Sequence, residues 1–192
     1  MLAKARFKSV IRKICTLGVI VCVLSLVSYS QARLEHLEKI QETLGPEVPK
    51  ILCVNEKFAT SAQPADTAYT KLSANGFKSV LSLRTAGETA DPNKERTLVE
   101  AAGMRYINIP VVSSAPKPEQ VDEFFKVVQD ASNQPMLIHC ASANRVGAFW
   151  MIYRVVVENW PEEKALDEAT RVGLTSPVLK SFAREQIAAR RR

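Results

Sequence analysis

Residues 135–149 read PMLIHCASANRVGAF. Met136, Leu137, Ile138 and His139 follow a proline and run straight into Cys140. A short apolar run bounded by turn-forming residues is the pattern of a buried strand. Ala141, Ser142, Ala143 and Asn144 are small enough for the backbone to curl with successive N–H groups pointing inward. Arg145 then opens an apolar stretch, to about Glu158, that reads as a helix. This order of parts is an oxyanion site. Curled amides form an anion-binding nest, the helix N-terminus adds positive potential, and a guanidinium can hold two oxygens in a fork. The same field favours Cys140 as thiolate, the nucleophilic form of cysteine. Free cysteine is also a common core residue, but a structural thiol needs neither the polar turn nor the arginine after it.

Working outward, short apolar runs alternate with helical patterns. ILCV (51–54) and FAT (58–60) read as strands, and Ala65 to Asn75 as a helix closed by Gly76. SVLSL (79–83) is a buried strand ending at Arg84, Pro92 to Ala102 a helix, and MRYINI (104–109) a strand terminated by Pro110. Pro116 to about Ala131 is a helix with Val121, Phe124, Phe125 and Val128 on one face, and Glu162–Val172 and Pro177 to about Ala189 are two more. Strands separated by helices pair in parallel through right-handed crossovers. The fold expected is therefore α/β, a central mostly parallel sheet of about four to five strands flanked by helices, with an additional N-terminal hydrophobic helix. Ligands of open parallel sheets sit beyond the carboxyl ends of the strands. Arg84, the stretch after Pro110 and Cys140 all belong at such ends, which makes Arg84 a candidate substrate-binding cation.

The 192 residues carry a net charge of +6, placed unevenly. Lys4, Arg6, Lys8, Arg12 and Lys13 precede an uncharged apolar run at 14–29, and Arg190, Arg191 and Arg192 end the chain. These cations exceed the surplus, so the middle is near neutral and nucleic acid is not an expected partner. The basic start, apolar run and small residues Ser28, Ser30 and Ala32 predict an export signal or a membrane anchor over 1–32. Its segment contacts a membrane at least transiently, and the domain lies outside the cytoplasm, in the periplasm if the source is bacterial. Leu34, Leu37, Ile40 and Leu44 recur at helical spacing, so 33–49 reads as an amphipathic spacer helix before a domain at 50–189 and a basic tail at 190–192. His36 sits among charges on that spacer. With only His36 and His139 as histidines and no CxxC, neither a metal site nor a cofactor is expected.

His139-Cys140, a short loop, Arg145 and then Gly147 resemble the phosphate loop of the cysteine-dependent protein tyrosine and dual-specificity phosphatases. Tyr153-Arg154-Val155, Asn159-Trp160-Pro161 and the following stretch to Ala169 resemble the helix pair after that loop. Upstream, Thr60-Ser61-Ala62-Gln63-Pro64, Gly76 to Val80 and Leu83-Arg84 are similar to the bacterial beta-lactamase-hydrolase-like branch. The resemblance implies hydrolysis of phosphate monoesters, phosphotyrosine or related, on a phosphorylated protein or a small ester. It implies that Cys140 attacks phosphorus, that Arg145 and the amides of Ala141, Ser142, Ala143 and Asn144 bind the equatorial oxygens, and that His139 sits behind the loop and helps set the thiolate.

Three departures bear on activity. The family loop has five residues between Cys and Arg; here there are four, a smaller cradle. A hydroxyl residue often follows the arginine, and here it is Val146, with Ser142 as the nearest substitute. The usual aspartate after the Ile-Pro-Val step is Ser113, and positions 110–118 hold no acid. Glu88, Asp91, Glu119 and Asp122 are the substitutes to consider, and the general acid is left unassigned. Positioned general acids contribute about 10²–10⁴-fold, so the expected enzyme is slow or restricted to good leaving groups. Two other functions stay open: a rhodanese-like sulfurtransferase using a Cys140 persulfide, since the six-residue Cys140–Arg145 unit and its Asn-Arg ending suit one, and a weak or inactive phosphate-binding interaction module. A Cys53–Cys140 disulfide is a further option in an oxidising compartment.

Overall fold

A computed structural model describes residues 31–88 and 91–191. They fall into two units, one ending at Lys39 and the other beginning at Ile40. In the first, residues 31–39 are helical and Leu34 is exposed. The apolar run at 14–29, with the hydrophobic helix and the signal or anchor expected there, lies outside the described residues. Among the described residues, no helix is long and apolar enough to cross a membrane.

The second unit holds the end of helix α1 (31–44), then β1 (Leu52–Cys53), β2 (Phe58–Ser61), α2 (Ala68–Ala74), β3 (Ser79–Ser82), α3 (Pro92–Ala101) and β4 (Arg105–Asn108). It continues with α4 (Pro118–Gln129), a 3₁₀ turn (Ala131–Asn133), β5 (Met136–His139), α5 (Asn144–Val156), α6 (Glu162–Val172) and α7 (Pro177–Arg190). The five strands form one sheet in the order β1-β2-β5-β3-β4. β5 pairs in parallel with β2 and β3, β3 in parallel with β4, and only the edge strand β1 is antiparallel.

Strand periodicity sorts the core onto two faces. Phe58, Leu81, Met136 and Ile138 point to one face, under α4, α5, α6 and α7, where Phe124, Phe149, Trp150, Val172, Leu179 and Ile187 are buried. Ala59, Val80, Tyr106 and Leu137 point to the other, against Ala68, Tyr69 and Leu72 of α2 and Val99 of α3. Ile40, Leu44 and Val48 are buried in that second cluster. The stretch expected as a spacer is thus, from Ile40 on, part of the domain core, because its apolar stripe has a sheet face to cover. Arg190 closes α7 and donates to Pro118 O at 3.0 Å and Asp122 Oδ1 at 2.8 Å, while Arg191 Nη2 reaches Trp160 O at 3.1 Å.

Two devices fix α5, the helix that carries Arg145. Arg154, buried, lies over the rings of Trp150 at 4.6 Å and Trp160 at 4.2 Å. It also pairs with buried Glu168 of α6 through bonds of 2.7 and 3.0 Å. Gly147 is the second device. A Cβ there would stand 2.8 Å from both Ala169 O and Leu174 Cβ, so only glycine lets α5 and α6 approach this closely. Gly147→Ala is expected to destabilise the domain by about 1–3 kcal/mol, as overpacking does. A thermal melt checks this, and an unchanged midpoint would show that the contact is dispensable.

Candidate active site

Register places the site. Ser61, His139 and Ser82 are matched across β2, β5 and β3, and Ser82 is matched with Asn108 across β4. The residues that follow these four all emerge at one edge: Ala62-Gln63, Cys140, Leu83-Arg84, and Ile109 to Val111. Arg84, Cys140 and the stretch after Pro110 therefore share an edge, as their places at strand ends imply, and β2 adds Gln63.

Between β5 and α5 the chain turns in a short loop. Ala143 is in the left-handed region at φ 70°, and Gly147 N donates to Ala143 O at 2.9 Å as the first bond of α5. The amides of the first helical turn are then left without an intrahelical acceptor and sit at the positive end of the helix. Gln63 N donates to Ala141 O at 3.4 Å and Lys50 Nζ to Ser142 O at 3.2 Å, which anchors the loop from outside. Ala141 and Ser142 are exposed at the rim, and Ala143 is buried.

Arg145 is buried and held from one side. Nη1 donates to Leu83 O at 3.0 Å, Val111 O at 2.9 Å and Glu88 Oε1 at 2.6 Å, and Nη2 donates to Glu88 Oε2 at 2.8 Å. Of its five N–H groups, these bonds do not use Nε–H and the second Nη2 hydrogen, and the Cys140 sulfur is a further partner of the guanidinium. Burial works against the guanidinium's charge, but Glu88 and then the adjacent Cys140 sulfur outweigh it and raise its pKa. Cys140 thus lies beside the cation, at the floor of the cradle, with no exposed surface.

Glu88 corrects one sequence expectation. Burial tends to raise its pKa, but bonds from Arg145 and Thr85 prevail and hold it at about 2. It is ionised at neutral pH and cannot donate a proton; it braces the arginine. The other substitute acids do not fill the place either. Asp91 caps α3 through Asn93 N at 2.9 Å, Asp122 pairs with Arg190, and Glu119 is exposed in the first turn of α4.

Arg84, expected as a substrate-binding cation, is 3% exposed, with its guanidinium bonded to Gln63 Oε1 and, at 3.2 Å, to Glu88 Oε2, so these bonds brace the site. The side-chain oxygen of Asn144 accepts from Thr175 N at 2.7 Å and Ser176 N at 2.9 Å, so only its backbone amide is available to the cradle. Cys53 and Cys140 are both free. Cys53 stands on the edge strand beyond β2, and burial pushes its thiol up to about 11.

His139 is fully buried on the opposite sheet face from Ile138, behind Cys140. Its Nε2 lies 3.1 Å from Glu95 Oε1, in ion-pair range, though neither ring nitrogen has an aligned hydrogen-bond acceptor among the described residues. Glu95 is the residue that sequence reasoning missed. It is nearly fully buried and accepts from Tyr69 OH at 2.6 Å, Gln63 Nε2 at 2.8 Å and Tyr106 OH at 3.1 Å. On α3 it looks like one of several surface acids, and nothing in its spacing marks it. Burial tends to raise its pKa, but His139, Tyr69 and Gln63 hold it at about 2.

A carboxylate with a lowered folded-state pKa binds fewer protons than the unfolded chain. Its contribution is complete above the ordinary value of 4.5 and is lost as pH falls through about 2. For Glu95 that contribution is about 3 kcal/mol. Glu95→Gln is expected to lower stability at pH 7 and to flatten the acid limb between those two pH values. Urea unfolding across that window measures it, and an unchanged slope would remove Glu95 from the account.

Comparison with known proteins agrees with this geometry. The chain is similar to the beta-lactamase hydrolase-like protein of Xylella fastidiosa, 26% identical over 112 residues, 56% of this chain and 25% of the relative, so it spans about a quarter of that curated protein's length. It is 31% identical over 81 residues to the dual specificity protein phosphatase TpbA of Pseudomonas aeruginosa, 41% of this chain and 37% of that one. The fold matches a DUF442 protein from Shewanella putrefaciens with a TM-score of 0.66 at 23% identity, covering 77% of this chain and 97% of the other. It also matches TpbA in complex with pTyr at a TM-score of 0.60 and 21% identity, covering 74% and 91%. A family model matches residues 37–186. The chain belongs to the family described as DSP-PTPase phosphatase fused to NAD+ kinase.

Proposed function

We propose that the protein hydrolyses phosphate monoesters through Cys140. The observation that carries this reading is the position of Cys140 beside the Arg145 guanidinium, whose outer edge is held by Glu88, Leu83 O and Val111 O and whose inner donors remain for an oxyanion. The sulfur attacks phosphorus, the ester P–O bond breaks, and the leaving group departs. Water then cleaves the phosphocysteine, releasing inorganic phosphate and the thiol. Arg145 and the first-turn amides of α5 hold the non-bridging oxygens as charge develops.

The substrate class follows from the missing acid. With Ser113 in the acid's place and Glu88 locked as a carboxylate, the leaving oxygen departs without a positioned proton donor. A phenol, with a pKa near 10, leaves far more readily than an aliphatic alcohol. This favours phosphotyrosine or another aryl phosphate, in line with the pTyr complex of TpbA. The basic start and apolar run at 14–29 support placing the domain outside the cytoplasm, which mass spectrometry of the mature N-terminus tests.

The burial of Cys140 supports a second reading, an oxyanion-binding module with little turnover. Assay of the full chain with p-nitrophenyl phosphate, and with thiosulfate plus cyanide, separates the options. Phosphate release with a phosphocysteine trapped by rapid denaturing quench is expected. Sulfur transfer without phosphate release would replace the reading with a sulfurtransferase, and phosphate binding with background turnover would leave the module.

A further inference from the structure

Three parts of the site meet at Gln63, in the Thr60–Pro64 stretch that the catalytic account leaves without a role. Its main-chain N–H donates to Ala141 O in the loop at 3.4 Å. Its side-chain Oε1 accepts from Arg84 Nη1, and its Nε2 donates to Glu95 Oε1 at 2.8 Å, with Pro64 O and Tyr69 OH at 3.4 Å as lesser acceptors. Beyond those partners, Arg84 reaches Glu88, Glu88 grips Arg145, and Glu95 lies against His139. One amide therefore closes a polar chain that runs from His139 behind Cys140 to Arg145 beside it.

We infer that Gln63 is a positioning residue of the oxyanion site, setting the loop and the Arg145 fork in register by joining Glu95 to Arg84. The inference rests on the phosphatase reading above. The chemistry asks for an amide. One end must accept from a guanidinium and the other must donate to a carboxylate, and both partners are too buried for water to substitute, at 3% exposure for Arg84 and 5% for Glu95. A methionine has the length and neither bond. A carboxylate can accept from Arg84 but turns a second negative oxygen toward Glu95. A neutral carboxylic acid restores both bonds, since its O–H replaces the N–H.

That last property gives a readout that a merely structural role does not move. The groups facing this position are Glu95 on α3, Tyr69 on α2 with Asp66 beside it, Tyr106 on β4, His139 on β5, and Arg84, with Glu88 and Arg145 one bond further on. Arg84 favours ionisation of an introduced carboxyl, and Glu95 opposes it. Two carboxyls in contact share a proton, which raises the pH at which the pair loses it.

The test uses the full chain as wild type, Gln63→Met and Gln63→Glu. Steady-state hydrolysis of p-nitrophenyl phosphate and calorimetric titration with inorganic phosphate are each followed from about pH 5 to about pH 8, relative to wild type, with thermal melts to establish folding. Gln63→Met is expected to lose about 10- to 100-fold in kcat/KM and in phosphate affinity at every pH, the loss of bonds to charged partners. Gln63→Glu is expected to match it at the alkaline end and to recover to within about threefold of wild type at the acid end. If both variants stay within about twofold of wild type in phosphate affinity, the inference is overturned. It is overturned equally if folded Gln63→Glu shows no recovery on acidification. Should Gln63→Met fail to fold, the pH series of Gln63→Glu decides alone. Wild-type turnover no faster than that of Cys140→Ser would end the phosphatase reading, and the phosphate titrations would still decide the role of Gln63.

Discussion

Cys140→Ser is expected to lower turnover of aryl phosphates by about 10³-fold or more while phosphate binding persists. A serine hydroxyl is a far weaker nucleophile toward phosphorus than a cysteine sulfur, so the attacking step is largely lost. The cradle is otherwise unchanged, because Arg145 takes its position from Leu83 O, Val111 O and Glu88 rather than from the sulfur. Binding of inorganic phosphate is expected to hold, since the loop amides and the guanidinium that receive the anion are untouched. Steady-state kinetics and calorimetry on the same preparations measure both. Wild type no faster than the serine variant would end the hydrolytic reading, and loss of phosphate binding in the variant would show that the sulfur, not the amides and guanidinium, makes the anion site.

Arg145→Lys is expected to cost about 10²–10³-fold in kcat/KM, the loss typical when one preorganised oxyanion donor is removed. Lysine keeps a positive charge but has a single ammonium. Arg145 uses Nη1 and Nη2 to satisfy two buried carbonyls and both Glu88 oxygens while keeping further N–H groups for the ligand. An ammonium cannot do both. Glu88 would be left with Arg84 and Thr85 as its partners, so a lowered melting temperature is expected beside the kinetic loss. The kinetic loss should fall mainly on kcat, because the fork matters most as charge builds on the equatorial oxygens. A lysine variant within about twofold of wild type would show that the bidentate geometry is not used.

Glu88 illustrates how an acid's role is decided by its neighbours. From its place four residues after Arg84, in a loop beside the strand end, it is a reasonable proton donor. Two guanidiniums and Thr85 make it the reverse, a fixed carboxylate that orients the catalytic arginine. The reaction then depends on the leaving group itself, and this is why the proposed substrate is a phenol ester.

Much of the molecule was legible along the chain. Local rules sufficed for the strand, loop and helix at 135–156, for the parallel pairing of β2 to β5, and for the helices that open at Pro92 and Pro177, because strand periodicity, small-residue turns and helix stop signals act over a few residues. The edge that gathers Arg84, Cys140 and the Pro110 stretch was legible too, since parallel sheets put their carboxyl ends together. What tertiary structure alone decided was which polar side chains face inward and whom they meet. Gln63 and Glu88 come from two separate connections and Glu95 from helix α3, 25 and 7 residues apart in sequence. Their partners are set by sheet register and by the packing of α3 on the sheet, not by spacing. The same long-range packing gave Arg84 and the Asn144 side chain bracing partners and drew Ile40, Leu44 and Val48 into the core. A side chain's direction follows from its strand or helix, but its partner follows from how the elements stack, and only the folded chain contains that.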